Sequence, residues 1–82
     1  MGKKAIEIVD LEVKKLVETL NQALSEEWLA YYQYWIGARV MSGPMHGDIE
    51  KELYKHADEE LHHAEMLVRR IIELGGRPVR SP

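Results

Sequence analysis

Glu60 and His63 are the residues whose types and spacing most readily suggest chemistry. They stand in the stretch Glu60-Leu61-His62-His63, a Glu-x-x-His spacing. Three residues along a helix turn through about 300°, so this carboxylate and this imidazole lie within roughly 60° of each other on one face. Such a pair can bind one metal ion from one side. Glu27 is the third candidate. It falls within an apolar series, between Leu24 and Tyr31, where a carboxylate is out of place. The chain has no cysteine, so a thiolate site is excluded and carboxylate and imidazole carry any metal chemistry.

Two helices must position these groups. From Leu11 to about Met41 the chain has no Gly or Pro except Gly37. Apolar residues recur at spacings of three and four: Leu16, Leu20, Ala23, Leu24, Tyr31, Tyr34, Ala38 and Met41. Lys15, Thr19, Gln22, Glu26 and Gln33 form a solvated opposite side. Asp10 suits an N-cap with Glu12 in the first turn, and residues 1–9 read as a lead-in. Ser42-Gly43-Pro44-Met45-His46-Gly47 is turn chemistry. Asp48 can cap a second helix whose stripe is Ile49, Leu53, His56, Glu60, His63, Leu67, Ile71 and Leu74. A flanking row, Tyr54, Ala57, Leu61, Ala64, Val68 and Ile72, widens that face, while Lys51, Lys55, Asp58, His62, Glu65 and Arg69 face water. Gly75-Gly76 stops the helix, leaving an irregular tail, 76–82. The expectation is one all-α unit over residues 1–82: helix about 11–41, turn 42–47, helix about 48–75, folded as an antiparallel hairpin.

Counting from the turn fixes relative heights. Glu27 lies about 21 Å from the end of the first helix; Glu60 and His63 lie about 18 and 22 Å into the second. The three groups are therefore level. A Glu on an apolar stripe ordinarily reaches solvent or a basic partner, and Glu-x-x-His alone is a weak motif. Their coincidence in height and face changes the balance. Unpaired buried carboxylates cost on the order of several kcal/mol each, and divalent cations remove that cost. Donors of oxygen and nitrogen suit iron, manganese or zinc, with paired iron or manganese favoured by carboxylate-rich sites. His56, about one turn before Glu60, reads as a further ligand, an access-route residue or a core histidine. Tyr34, seven residues after Glu27, reads as a neighbour of the site or an ordinary bundle tyrosine.

A hairpin buries one seam, and this chain has more apolar face than that. Five of its six aromatics lie in residues 28–35 and point in several directions. A chain of 82 residues without disulfides calls for a metal or a partner. The simplest partner is a second copy, giving a four-helix bundle by two-fold symmetry. Ser81-Pro82 resembles a helix start, so a natural half-bundle and part of a longer chain both remain open. Net charge is −3, which argues against nucleic acid as the main partner. No apolar run approaches the roughly 20 residues of a membrane span. Glu7 and Asp10 interrupt any signal-peptide core, and a cytoplasmic setting is expected.

At these residues the sequence resembles the N-terminal half of a ferritin-like protein, nearest bacterioferritin and its Dps-like relatives. The likeness runs from about Leu16 to Gly76. It is carried by Glu27 within LNQALSEEWLAYYQYW, the turn GPMHGD, Glu60 to His63 within HADEELHHAEML, and the ending IIELGGRP. It implies a di-iron ferroxidase or peroxide-consuming site, with two iron ions per completed bundle, that serves iron storage and detoxification. Glu27 would be a terminal ligand, Glu60 a bridging one, His63 terminal, and Tyr34 the tyrosine beside the site. Such bundles take a Glu from each of two helices and a Glu-x-x-His from each of the others. One hairpin supplies half of that set, so a second chain must complete it, in a homodimer or a larger assembly. Encapsulated ferritins, also two-helix chains, offer a precedent. Bacterioferritin binds haem through a Met directly after the bridging Glu; here that residue is Leu61, so no such haem is expected. The competing readings are a non-catalytic half-bundle that assembles only with a partner and, least favoured, a DNA-protecting role.

Overall fold

In the computed structural model, which describes residues 2–82, the chain is two long helices joined by a tight turn: α1, Lys3–Val40, and α2, Gly47–Glu73. Helix α1 starts eight residues before the expected Leu11. Between Lys3 and Ile36 no Gly or Pro interrupts it, and the first such residue upstream is Gly2, the N-cap with φ −80° and ψ 168°. Asp10 is therefore an exposed mid-helix residue, because nothing in Lys3–Val9 opposes propagation once the helix is nucleated. Met1 of the expected lead-in lies outside the described residues.

The turn uses its special residues. Gly43 has φ +144°, which a side chain rarely tolerates. Pro44 then opens a single 3-10 turn, Pro44–His46, where its missing N–H costs nothing. Helix α2 begins at Gly47, with His46 at the N-cap position. Asp48 thus sits inside the first turn with Glu50, where both complement the positive helix end. At the other end Gly75, at φ +80°, closes a Schellman motif: its N–H donates to the Ile72 carbonyl, and the Gly76 N–H to the Ile71 carbonyl, both at 2.9 Å. Helix α2 accordingly ends at Glu73.

The seam between the helices is narrow. Its fully buried residues are Leu24 and Ala38 from α1 and Ala57, Ala64 and Ile71 from α2. The α2 residues are spaced by seven; Ala57 and Ala64 belong to the row expected as a flank, and Ile71 to the expected stripe. Alanine at two of three positions lets the helices approach closely, so this row becomes the centre. The stripe carrying Ile49, His56 and His63 is turned partly outward: Ile49 is exposed, as are both histidines. Leu16, at the edge of the α1 series, is also exposed. The tail runs back along α1. Asn21 Nδ2 donates to the Arg77 carbonyl and Asn21 Oδ1 accepts from the Val79 N–H, each at 2.9 Å. Val79 then packs on the Leu24–Ala64–Ile71 cluster.

The hairpin is a rod of 66 × 15 × 13 Å with a radius of gyration of 17.8 Å. A compact domain of this length would have about 12 Å. Exposed apolar side chains line the rod, among them Ile6, Val9, Leu29, Ile36 and Met66. The ferritin-like bundle expected from the sequence is thus present as a helical hairpin that leaves many apolar side chains exposed. Among the described residues no helix is long and apolar enough to cross a membrane.

Candidate metal centre

Glu27 reaches the seam from α1 because it lies one turn after Leu24, which is wholly buried. Glu60 and His63 flank buried Ala64 on α2, one turn and one residue before it. The hairpin brings the three together as the count of turns anticipates. Each offers one donor atom, and these atoms all lie within 4.8 Å of one another. His63 Nδ1 is 3.6 Å from Glu27 Oε2 and 3.7 Å from Glu60 Oε2. The carboxylates are the sheltered pair, at 27% and 22% side-chain exposure, against 55% for the imidazole. The group therefore opens to solvent through His63.

The spans between donors suit an ion better than a hydrogen bond. Two donor atoms each about 2.1 Å from one ion at a tetrahedral angle are about 3.4 Å apart. Direct N–H···O bonds are about 2.9 Å. Glu27 Oε2 is buried and has no hydrogen-bond partner. An orphaned carboxylate oxygen within reach of a second carboxylate and an imidazole is a donor set that fits a divalent cation of the iron, manganese or zinc type.

Tyr34 and His56 lie side by side rather than within that group. Their rings stack with centroids 5.1 Å apart and planes 28° apart. His56 is not a core histidine: it is exposed, and its Nδ1 lies 3.6 Å from Glu59 Oε2. Glu59 stands three residues after His56, which repeats the spacing of Glu60 and His63. Asn21 has partners 56 and 58 residues away, which leave no local signal in the sequence. Trp28, next to Glu27, packs edge-on against Tyr31 at 6.3 Å, and its buried Nε1 lacks a partner. Trp35 is capped by the Arg39 guanidinium 4.8 Å from its ring centre.

Comparison with known proteins gives one consistent answer. Residues 17–82 match the ferritin-like domain family. The chain is 37% identical over 81 residues to the DNA protection during starvation protein of Pyrococcus furiosus, covering 98% of this chain and 43% of that protein. It is 38% identical over 64 residues to bacterioferritin of Brucella melitensis, covering 78% of this chain and 40% of that one. Among solved structures it resembles a dodecameric thioferritin, the bacterioferritin-related protein of Bacteroides fragilis. That match has a TM-score of 0.76 and 52% identity over 99% of this chain and 49% of the other. The chain thus spans less than half the length of each of these relatives.

Proposed function

Because the chain belongs to the family of ferritin-like domains, we propose that it binds and oxidises iron for storage and detoxification, at a two-metal carboxylate site completed by a second copy. The observation that carries this reading is the convergence of Glu27, Glu60 and His63 on one small volume, with a buried carboxylate oxygen left unpartnered. One hairpin contributes two carboxylates and one imidazole. A two-fold axis beside His63 doubles this to four and two, the ligand set of di-iron carboxylate bundles. The same pairing would cover apolar side chains that the single hairpin leaves exposed.

In this reading Fe(II) is the substrate. Glu27 and His63 would be terminal ligands to an ion on each side of the axis, with the Glu60 carboxylates shared between the two sides. Two Fe(II) each give up one electron; hydrogen peroxide takes both with two protons and leaves as two waters, or dioxygen takes them and leaves as hydrogen peroxide. The protein supplies negative charge that favours Fe(III) over Fe(II). Manganese or zinc fits the same donors. Leu61 and the absence of a Met there give no reason to assign haem. A cytoplasmic setting belongs to the same proposal, and the net charge of −3 argues against a DNA role.

Metal content measured together with mass in solution tests the proposal. A dimer or a multiple of it, with two metal ions per pair of chains and oxygen- or peroxide-dependent Fe(II) oxidation lost in Glu60→Ala, is the expected result. A homogeneous dimer that takes up no metal would sink it.

A further inference from the structure

The two helices differ in length, and the excess lies at one end. Helix α1 runs thirteen residues from Glu27 to Val40; α2 runs thirteen from Glu60 back to Gly47 and thirteen on to Glu73. Each of these stretches spans about 20 Å. Upstream, α1 runs twenty-four residues from Glu27 to Lys3, about 36 Å. The hairpin does not cover that difference. Gly76 lies close against Val17, and the tail then turns back to Asn21, away from the start of α1. Residues 3–12 therefore project as an arm, with Ile6 and Val9 each 58% exposed. Val9 precedes Glu27 by eighteen residues, five full turns, so it lies on the same line along α1 as that ligand. At the far end of the rod Met41 follows Glu27 by fourteen residues, within about 40° of the same line. Beside it in the turn, Met45 is 89% exposed. Two apolar patches thus stand at opposite ends of a rod 66 Å long, and one chain cannot bring them together.

We propose that the arm of each copy docks on the turn of a second copy, with Ile6 and Val9 against the partner's Met41 and Met45. The inference rests on the two-copy site proposed above. A two-fold axis at the height of Glu27 and Glu60 sets the two α1 helices antiparallel and brings the partner's Val40 level with Lys14. The partner's turn lies just beyond that level, and Val9 is about 7 Å past it. Four helices of matched length then end together at each end of the bundle, and the arm is the one piece of helix left over to meet the turn. Methionines suit such a contact, because their unbranched side chains adapt to the apolar surface laid on them. Docking at both ends fixes the register of the two copies, and register is what keeps the two halves of the site at one height.

The chain has no cysteine, so an introduced pair reports on its own contacts. In the full chain, Val9→Cys with Met45→Cys places the two thiols at opposite ends of the rod, and a disulfide between them can only join two copies. The control is Leu11→Cys with Met45→Cys: Leu11 is exposed to a similar extent but faces about 160° away from Val9. Under mild oxidation the first pair should give a covalent dimer at least about tenfold faster than the control. Sedimentation of the unsubstituted chain gives its mass alongside. If that chain is a dimer and the two pairs link at equal rates, the arm contact is overturned and the two-copy site stands. Equally fast linkage by Val9→Cys alone also overturns it, since the arms then pair with each other. A chain that stays monomeric removes the second copy, and the two-copy site falls together with the arm contact.

Discussion

Glu27→Gln separates a ligand from a structural carboxylate, because the two roles predict opposite signs. The substitution keeps shape and removes charge. In the metal-free protein the carboxylate oxygens of Glu27 and Glu60 are within 4.8 Å, and one of them is buried without a partner. Two like charges at that distance repel by about 1 kcal/mol in water and about 3 kcal/mol at an effective dielectric of 20. At roughly three-quarters burial the lower part of that range is the better guide, since solvent still screens both groups. Metal-free Glu27→Gln should therefore be more stable than the parent by about 1 kcal/mol, a rise of about 4–8 °C in melting temperature for a domain of this size. Zinc, which has no redox chemistry, reverses the order. At a hundredfold excess over its dissociation constant a ligand stabilises by about 2.7 kcal/mol. The parent should gain that; the variant, short of one ligand, should gain little. The assay is thermal unfolding by circular dichroism at pH 8, where an imidazole is ordinarily neutral. Both proteins are compared at one chain concentration, with and without zinc. An equal loss of melting temperature in both conditions would mean that Glu27 holds the fold through its own contacts, and the metal argument would fail.

The paired glycines after α2 separate two other causes. A Cβ on Gly76 would sit 2.6 Å from Val17 Cγ1, so Gly76→Ala should cost about 1–3 kcal/mol in chemical denaturation. Much of that loss should vanish in a Val17→Ala background, and an unchanged cost there would refute the steric account. Gly75 has open space around it but φ +80°, so Gly75→Ala should cost about 1 kcal/mol whatever residue 17 is. Asn21→Ala removes both hydrogen bonds that hold the tail, and should cost about 1–3 kcal/mol while making the Val79 amide exchange with solvent faster. Unchanged exchange at Val79 would show that apolar packing alone retains the tail.

The ligand group was legible in the sequence because helical geometry is local and regular. Once Glu27 and Glu60 lie on two helices joined by a six-residue turn, rise per residue fixes their heights and periodicity fixes their faces. No tertiary information enters that count. The turn glycine and proline and the Gly75-Gly76 stop were equally readable, since each answers a backbone requirement that few residues meet. His56 was harder. Its place on an apolar stripe suggested a core residue, but the hairpin covers that stripe unevenly: Ile71 is buried, while Ile49, His56 and His63 stay exposed.

Amino-acid order by itself determined that this protein is a helical hairpin presenting two carboxylates and an imidazole at one height. Local periodicity and the rise per residue suffice for that. Only the tertiary structure decided which row becomes the seam. The small side chains of Ala57 and Ala64 let α1 come close, which put their row in the seam and left His56 and His63 exposed. Only tertiary contacts could tie the tail to Asn21, because those bonds join residues 56 and 58 positions apart. Likewise, the stacking that fixes His56 needs Tyr34 from the other helix. Sequence spacing set the positions of the donors along each helix; packing between helices set which of them are sheltered and which remain open.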